Sequence, residues 1–440
     1  TEEAIIGWND GAIRTLNYQT WTAGNEFTRA AYGRFMYQVT ICNNFLRETT
    51  DAKLDSRGVE TNLRADIQGY RTEARLLRAL AYFHALDVFG NMPFVTEEDP
   101  VGSFLPQQIS TEDLFAYIES ELLAIEDAIA APRSNEYGRA DRGAVWMILA
   151  KMYLNAEVYI NSPKYTEALT YCNNIIAAGY SIPPNPYTDS FLADNDSNGA
   201  QNEVIFTIPF DGLQSQTYGG TTFLVHAPVG GSMPAGEFGI NGGWFGVRTT
   251  PEFVELFPGE ENSADGRALF YTDGQSKEVI EIGPFTSGYA ITKWRNVDVN
   301  GNQGNDSTGE FVDIDFPMFR LADVYLMYAE IMLRGGGGDM NTAVGFINEL
   351  RTRAYGDNSG NIASGDLDLD FILDERAREL YWECHRRTDL IRFEQFSTQG
   401  VWSWKGNVPQ GTTTESFRDL MPLPANDLGV NTNLEQNPGY

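Results

Sequence analysis

Apolar residues recur at helical spacing over much of the chain. Phe35, Val39, Cys42 and Leu46 follow the i, i+4, i+7, i+11 spacing of one helix face. A second such face begins at Leu114, just after a Ser-Thr pair that can cap a helix. The same reasoning predicts helices at 70–89, 114–129, 142–158, 165–178, 319–333, 340–354 and 370–396.

Several of these predicted helices form pairs joined by short breakers. Asn161-Ser162-Pro163 separates one pair, and a glycine run at 335–338 separates another. Paired helices of about 15 residues are typical of tetratricopeptide-like repeats, although the spacing between pairs is irregular. The pattern alone leaves two possibilities open, a stacked helical-repeat scaffold and an ordinary helical bundle.

The middle of the chain differs in composition. Residues 211–246 contain ten glycines, where average usage would give about two or three. Val204, Phe206, Ile208 and Phe210 alternate with other residues as in a half-buried strand. We therefore predict a mainly α protein, with a helical part at 1–182, a loop-rich insertion with short strands at 183–315, and a second helical part with an extended tail at 316–440.

Charge narrows the choice of partner. The chain has 31 Lys and Arg against 61 Asp and Glu, a formal net charge of −30. Nucleic acids and anionic membranes both require cationic surface, so neither is a predicted partner. No apolar run reaches the length of a membrane span. The three cysteines, Cys42, Cys172 and Cys384, are far apart, which argues against a disulfide framework or a zinc site.

One predicted helix carries an acidic stripe. Glu375, Glu379 and Glu383 stand at i, i+4 and i+8, and five arginines are interleaved with them or follow closely. This pattern favours a salt-bridged structural network over an acid/base pair for catalysis. Arg71, Arg75 and Arg78 of an earlier helix form a matching stripe that can pair with these carboxylates.

The sequence favours no metal and no cofactor. Asp194, Asp196, Asn198 and Gly199 match the first half of a calcium loop, but the twelfth position, which should be Glu, is Ile205. A polar turn is the better interpretation. The chain has no nucleophile elbow, zinc-protease motif or phosphate-binding glycine loop.

Aromatic residues in glycine-rich surroundings are the strongest candidates for ligand binding. Trp8 is followed by Asn9 and Asp10, and Tyr218 and Trp244 each adjoin a glycine pair. Aromatic rings on such loops can stack on the apolar face of a sugar, while polar neighbours bind its hydroxyls. Their alternative role is to anchor the loops to the core.

Four blocks in order carry a family resemblance. They are RTEARLLRALAYFHALDVFGNMPFV at 71–95, FRLADVYLMYAEIM at 319–332, ILDERARELYWECHRRTDLIRF at 372–393, and LMPLPANDLGVNTNLEQNPGY at 420–440. Together they resemble the SusD/RagB family of nutrient-binding outer-membrane lipoproteins, over nearly the whole chain. Weaker matches are GWNDGAIRTLNYQTWT near the start and NGGWFGVRTTPEFVELF at 241–257.

The resemblance implies a single SusD-like domain with a tetratricopeptide-like scaffold and a variable, loop-rich ligand face. It also implies a surface-exposed position on the outer membrane, a lipid anchor on an N-terminal cysteine that this chain does not include, and a TonB-dependent, SusC-like transporter as partner. In starch-binding members an arc of three aromatic residues holds the sugar. By position, Trp8, Tyr218 and Trp244 are the matching residues here.

We therefore predict a non-catalytic glycan-binding protein that passes nutrient to the transporter. Trp8, Tyr218 and Trp244 are expected to stack on sugar rings, and Asn9, Asp10, Asn241 and Arg248 to bind hydroxyls. The net negative charge favours neutral polysaccharide. The alternatives are an all-helical glycoside hydrolase or lyase, which needs two carboxylates about 5 to 10 Å apart across a cleft, and a helical scaffold that binds only protein.

Overall fold

A computed structural model describes all 440 residues, of which 46% are helical and 6% are in strands. The α-helices are α1 (Gly11–Asn17), α2 (Glu26–Glu48), α3 (Asp51–Ser56), α4 (Thr61–Phe89), α5 (Thr111–Ile125), α6 (Arg142–Leu154), α7 (Ala156–Ile160), α8 (Tyr165–Ala177), α9 (Gly220–His226), α10 (Pro251–Val254), α11 (Leu321–Leu333), α12 (Met340–Tyr355), α13 (Leu369–Leu380), α14 (Arg386–Arg392) and α15 (Ala425–Val430). The fold is mainly α, as the periodicity predicts.

Eight short strands form four antiparallel pairs. They are β1 (Ile5–Ile6), β2 (Met92–Pro93), β3 (Gln108–Ile109), β4 (Val204–Ile208), β5 (Val247–Arg248), β6 (Phe270–Tyr271), β7 (Ala290–Ile291) and β8 (Phe316–Arg320). The pairs are β1 with β5, β2 with β3, β4 with β8, and β6 with β7. The strand predicted from alternation at 204–210 is therefore present as β4, and it ends two residues early.

The chain divides into two compact units, each built from separate stretches of sequence. The first unit comprises Thr1–Thr20 and Cys172–Thr414, and the second comprises Trp21–Tyr171 and Glu415–Tyr440. Both units therefore contain residues from the amino-terminal half and from the carboxy-terminal half of the chain.

In the second unit, α4 packs against α2, α5 and α6. Leu76, Leu80 and Phe83 of α4 are buried, as their spacing predicts. The helix ends at Gly90, whose φ of 68° is readily adopted only by glycine. The carboxy-terminal tail is fixed to this helix, because the Asn437 amide donates to the Phe89 carbonyl.

In the first unit, α11 packs against α12 and α13. A large core of buried residues joins the loop-rich segment to α13, with Trp294, Phe253 and Tyr381 among its members. None of the helices in either unit combines the length and the apolarity that a membrane crossing requires.

Two predicted helices are interrupted. The helix predicted at 142–158 breaks at Asn155, which caps the end of α6 and directly precedes α7. The helix predicted at 370–396 ends at Leu380, because Trp382 and Cys384 have φ values of 58° and 67°. The indole of Trp382 donates to the Glu3 carbonyl at 3.0 Å, a tertiary contact that helical periodicity cannot reveal.

Candidate functional site

Five aromatic rings form a continuous chain in the first unit. The centroid separations are 6.0 Å from Trp8 to Phe223, 6.3 Å from Phe223 to Trp244, 6.3 Å from Trp244 to Tyr218, and 5.3 Å from Tyr218 to Phe311. Tyr218 is 60% exposed, and the other four rings are partly buried. We call these five residues the aromatic surface. It brings together all three aromatics that the sequence singles out.

Trp8 is positioned by backbone pairing. β1 pairs with β5, so Gly7 lies beside Gly246 and donates its N–H to the Gly246 carbonyl at 2.6 Å. The Trp8 indole N–H donates to the Trp244 carbonyl at 2.9 Å. A Cβ at position 246 would lie 2.3 Å from the Trp8 ring. Glycine at 246 is therefore what allows the indole to pack against this loop.

Trp244 rests on a buried histidine. The His226 ring stacks on the Trp244 ring with centroids 4.9 Å apart and planes 22° apart. His226 is 1% exposed, and its Nδ1 lies 2.7 Å from the Gly242 carbonyl. Burial lowers the pKa of His226, so the ring is neutral near pH 7. A neutral imidazole donates to Gly242 through Nδ1 and fixes the loop that carries Trp244.

Tyr218 is held by the loop at 306–311. Its hydroxyl donates to the Glu310 carboxylate, and its ring contacts Phe311. The buried Asp306 carboxylate accepts the backbone N–H groups of Thr308, Glu310 and Phe311 at 2.9 to 3.1 Å. One carboxylate thus fixes the loop that presents both partners of Tyr218.

Three of the four predicted polar ligand residues, Asn9, Asp10 and Asn241, lie on the loops that carry the rings. Asn9 and Asn241 are exposed, and the Asn241 backbone N–H is fixed by the Gly309 carbonyl at 2.9 Å. Asp10 caps α1, since its Oδ1 accepts the Ala12 N–H at 2.8 Å. These three side chains lie on segments that carry the aromatic surface.

Arg248 lies in the interior. Its exposed fraction is 0%, because β5 pairs with β1 and turns the side chain beneath Gly7, where it donates to the Ile282 carbonyl. Burial, together with nearby Arg14, lowers the pKa of Arg248 to about 10. The structure therefore removes Arg248 from the residues that can touch a ligand at the surface.

The calcium-like segment forms a network of internal hydrogen bonds. Asn198 donates to the Asp194 carboxylate at 3.1 Å and to the Asp189 carbonyl at 2.9 Å. The Asp196 carboxylate accepts the Ser197 hydroxyl at 2.8 Å, and Asn198 Oδ1 accepts the Ala200 N–H at 2.9 Å. The candidate ligand atoms thus have protein partners, an arrangement consistent with a polar turn.

The acidic stripe is buried and paired with cations. Glu375 bonds Arg267 at 2.9 Å and Arg351 at 2.7 Å. Glu379 bonds Arg320 at 2.6 Å. Burial alone would raise the pKa of each carboxyl, but the surrounding arginines lower the pKa of Glu375 and that of Glu379 to about 2.

The prediction of a structural network is confirmed, although most of its cations come from elsewhere in the sequence. Glu383 bonds Lys293 at 2.7 Å and Arg320 at 2.6 Å. The proposed pairing with Arg71, Arg75 and Arg78 is wrong. Arg75 and Arg78 both bond Glu121 at 2.7 Å, and Arg71 donates to the Leu46 carbonyl.

Sequence reasoning missed four residues of this site, which are Phe223, His226, Glu310 and Phe311. Phe223 and His226 lie on α9, a seven-residue helix within the glycine-rich segment. Their spacing of three is the only local signal that they share one helix face. Glu310 and Phe311 are brought to Tyr218 by folding across some ninety residues, and no local pattern indicates this.

Comparison with known proteins places these features in a family context. Residues 262–440 match the model described as the SusD family. The whole chain is 33% identical to the starch-binding protein SusD of Bacteroides thetaiotaomicron, covering 84% of that protein. It is 26% identical to SusD-like protein P25 of Formosa agariphila over 92% of this chain and 78% of that protein.

Solved structures share the fold. Surface glycan-binding protein A from Bacteroides fluxus superposes with a TM-score of 0.75 at 22% identity, covering 100% of this chain and 92% of that one. A laminarin-binding SusD-like protein superposes with a TM-score of 0.75 at 21% identity, covering 100% of this chain and 91% of that one. Three of these four relatives are named as binding proteins, and none is named as an enzyme.

Proposed function

Since the chain belongs to the SusD family, we propose that it is a non-catalytic glycan-binding protein whose ligand rests on the aromatic surface. The observation that carries the proposal is the unbroken series of ring contacts from Trp8 to Phe311. Sugar rings have apolar C–H faces that pack on aromatic rings, while their hydroxyls need polar partners at the edge. Trp8, Tyr218 and Trp244 supply the stacking faces.

The polar partners lie on the same loops as the rings. Asn9, Asp10 and Asn241 are the proposed ligands for sugar hydroxyls. We add Glu310, because the bond that it accepts from the Tyr218 hydroxyl places its carboxylate at the edge of the aromatic surface. Asp10 uses Oδ1 to cap α1, which leaves Oδ2 for a ligand. Several weak contacts of this kind give modest affinity, suited to capture followed by release.

A neutral glucan is the proposed ligand class. The relative with 33% identity is a starch-binding protein by name, and one structural neighbour is named as laminarin-binding. Both polymers are uncharged. The net charge of −30 disfavours polyanions for the same chain. Maltooligosaccharides and laminarioligosaccharides are therefore the first probes.

Isothermal titration calorimetry tests this proposal. We expect one of these oligosaccharides to bind the wild-type protein, and the triple variant Trp8→Ala, Tyr218→Ala, Trp244→Ala to bind it at least about 100-fold more weakly, since each ring contributes roughly 1 kcal/mol. Tyr37→Ala is the matched control, because Tyr37 is 63% exposed but belongs to α2 of the second unit. Unchanged affinity in a folded triple variant would contradict the site.

The enzymatic alternative finds no support in the acidic stripe. Glu375, Glu379 and Glu383 are at most 3% exposed and bonded to arginine or lysine, so no substrate can reach them. A hydrolase or lyase would release reducing ends or unsaturated products from a bound glycan. We expect neither on incubation with starch or laminarin.

We further propose that the protein delivers its glycan to a TonB-dependent, SusC-like transporter. Membership of a cell-surface, outer-membrane associated family supports this role, with a lipid anchor upstream of the present residues as the proposed attachment. Co-purification of the anchored protein with the transporter from outer membranes tests the pairing. Recovery of the protein without a transporter, under conditions that preserve such complexes, would favour the alternative of a different protein partner.

A further inference from the structure

A concave site lies in the first unit, apart from the aromatic surface. A cleft of about 870 Å³ is formed by residues 182–188 on one side and by α12, from Gly345 to its end, on the other. None of the five rings, nor Asn9, Asp10, Asn241 or Glu310, lines it. Its volume lies in the range of small-ligand sites. We call it the proline cleft.

One wall of the proline cleft is rigid and apolar. Pro183, Pro184 and Pro186 line it together with Ile182. Proline rings present C–H groups, fix the backbone φ and have no N–H that a ligand must satisfy. Such a wall contacts the apolar face of a ligand without losing conformational freedom on binding.

The opposite wall is polar and carries one charge of each sign. Among the residues lining the cleft, only Glu349 and Arg353 are charged. The Arg353 side chain is 2% exposed, bonds Glu203 at 2.5 Å and also pairs with Glu379, while its Nε has no hydrogen-bond partner. Thr352 also lines this wall, and its hydroxyl donates to the Asn358 and Asn361 side chains at 3.2 and 3.1 Å, so only its oxygen lone pairs can serve a ligand, as acceptors.

These charges exclude ionic ligands. An anion would meet Glu349 and the two carboxylates that already neutralise Arg353. A cation would meet a positive charge beside each lining ring, because Arg353 lies 5.5 Å from the Tyr187 ring and Arg351 lies 5.2 Å from the Tyr355 ring. An uncharged ligand with several hydroxyls and apolar C–H faces matches both walls.

We infer that the proline cleft is a second glycan-binding site, which takes a short, uncharged segment of the same polysaccharide. The choice of ligand class rests on the proposed function. The two rings that line the cleft, Tyr187 and Tyr355, each already pack against an arginine, so its affinity for an isolated oligosaccharide is the weaker of the two. Its role is to add a contact to a polymer that is already bound.

Gly345 offers a clean way to block the cleft. It lines the cleft from α12, is exposed, and has no heavy atom within 4 Å of an added Cβ. Gly345→Trp places a large side chain at the cleft without a clash at Cβ. Gly345→Ala is the matched control, which makes the same backbone change with little added volume. Both replace a mid-helix glycine and so favour α12.

The experiment uses saturation-transfer difference NMR with maltohexaose and laminarihexaose on the full chain. In the triple variant that lacks Trp8, Tyr218 and Trp244, we expect a residual signal from the oligosaccharide that binds the wild type. Adding Gly345→Trp should abolish that signal, whereas adding Gly345→Ala should retain it. Glu349→Ala is a second test variant, which removes a carboxylate from the cleft without filling it. We expect it to weaken the residual binding several-fold.

The outcomes separate the two proposals. No residual signal in the triple variant, with binding by the wild type, overturns the second site and leaves the aromatic surface intact. A residual signal that survives both Gly345→Trp and Glu349→Ala also overturns it, because the sugar then binds elsewhere. No signal from the wild type with either sugar contradicts the proposed function, and the glycan assignment of the cleft fails with it.

Discussion

At the scale of single residues, the aromatic surface depends on where side chains are absent. Gly246 allows the Trp8 indole to pack against the loop, since a Cβ at position 246 would lie 2.3 Å from two ring carbons. Gly243 has the same role towards the Val229 carbonyl, because a Cβ at position 243 would lie 1.9 Å from that carbonyl oxygen. The glycine excess of this segment is therefore a packing requirement as well as a source of flexibility.

Gly246→Ala should displace Trp8 from the aromatic surface. The added methyl group would overlap the indole, so we expect glycan affinity to fall about 10-fold in titration calorimetry, corresponding to about 1.4 kcal/mol, while the helical circular dichroism persists. Gly242→Ala is the matched control, because its Cβ would meet nothing within 4 Å. Equal affinities for the two variants would show that Trp8 does not contact the ligand.

Asp306 is a second residue whose effect on binding is indirect. It accepts backbone N–H groups from three residues of the loop that presents Glu310 and Phe311 to Tyr218. Asp306→Ala leaves these donors without their acceptor, so we expect a loss of about 1 to 3 kcal/mol in the free energy of unfolding and weaker glycan binding.

Asp306→Asn retains one side-chain acceptor and should fall between the wild type and Asp306→Ala in both measurements. Denaturant unfolding and titration calorimetry together check this order. Normal glycan affinity in Asp306→Ala would mean that the loop does not position Tyr218 for binding.

At the scale of elements, the sequence predicts helices well where burial is periodic and fails where tertiary contacts compete. α12 matches its predicted range to one residue, and α4 ends at Phe89 as predicted but begins at Thr61 and not at Tyr70. The helix predicted at 370–396 breaks before Trp382, whose backbone N–H and indole both bond Glu3. That partner is more than 370 residues away in sequence, and helical periodicity contains no information about it.

The same limit applies to the site. Trp8, Tyr218 and Trp244 stand out locally, because glycine-rich surroundings are unusual for core aromatics. Phe223, which joins Trp8 to Trp244, belongs to a helix too short for periodicity to identify. Arg248 is the opposite case, a residue that the sequence places at the site and the fold places in the interior. The pairing of β1 with β5 turns its side chain inward. Strand pairing across about 240 residues decides its position.

The carboxylates on and after α13 make stability depend on acid pH. The arginines around them outweigh the effect of burial and lower the pKa values of Glu375, Glu379 and Asp389 to about 2 in the folded protein. A depressed folded-state pKa stabilises the protein above the unfolded-state value and ceases to do so as pH falls through the folded-state value. The loss should therefore develop from about pH 4.5 down to about pH 2.

Thermal unfolding at pH 7, 5 and 3 tests this prediction. We expect the Tm to change little between pH 7 and pH 5 on account of these groups and to fall steeply by pH 3. Glu375→Gln should be less stable at pH 7, because Arg267, Arg351 and Arg378 lose a charged partner, and should lose less on acidification. A wild-type Tm that is the same at pH 7 and pH 3 would contradict the argument.

At the scale of the whole molecule, the net charge of the chain and the charges at the aromatic surface both disfavour anionic ligands. The chain carries −30 overall, and Glu310 and Asp10 add carboxylates at the aromatic surface, while the Arg248 side chain is buried. None of the residues that we assign to the site is a cation that would offset these negative charges. A uronic or sulfated glycan would therefore be repelled both at long range and on contact.

We accordingly expect neutral glucans to bind with an affinity that changes less than about 2-fold between roughly 50 and 500 mM NaCl, because neither stacking nor bonds to uncharged hydroxyls are screened by salt. Alginate should show no binding at the lower salt concentration. Glu310→Gln keeps a hydrogen-bond acceptor for Tyr218 but removes one charge, so it should leave the affinity for a neutral oligosaccharide within a few-fold of the wild type. Tight binding of alginate that weakens steeply with salt would instead require a cationic ligand site, and would shift the search for the natural glycan to acidic polysaccharides.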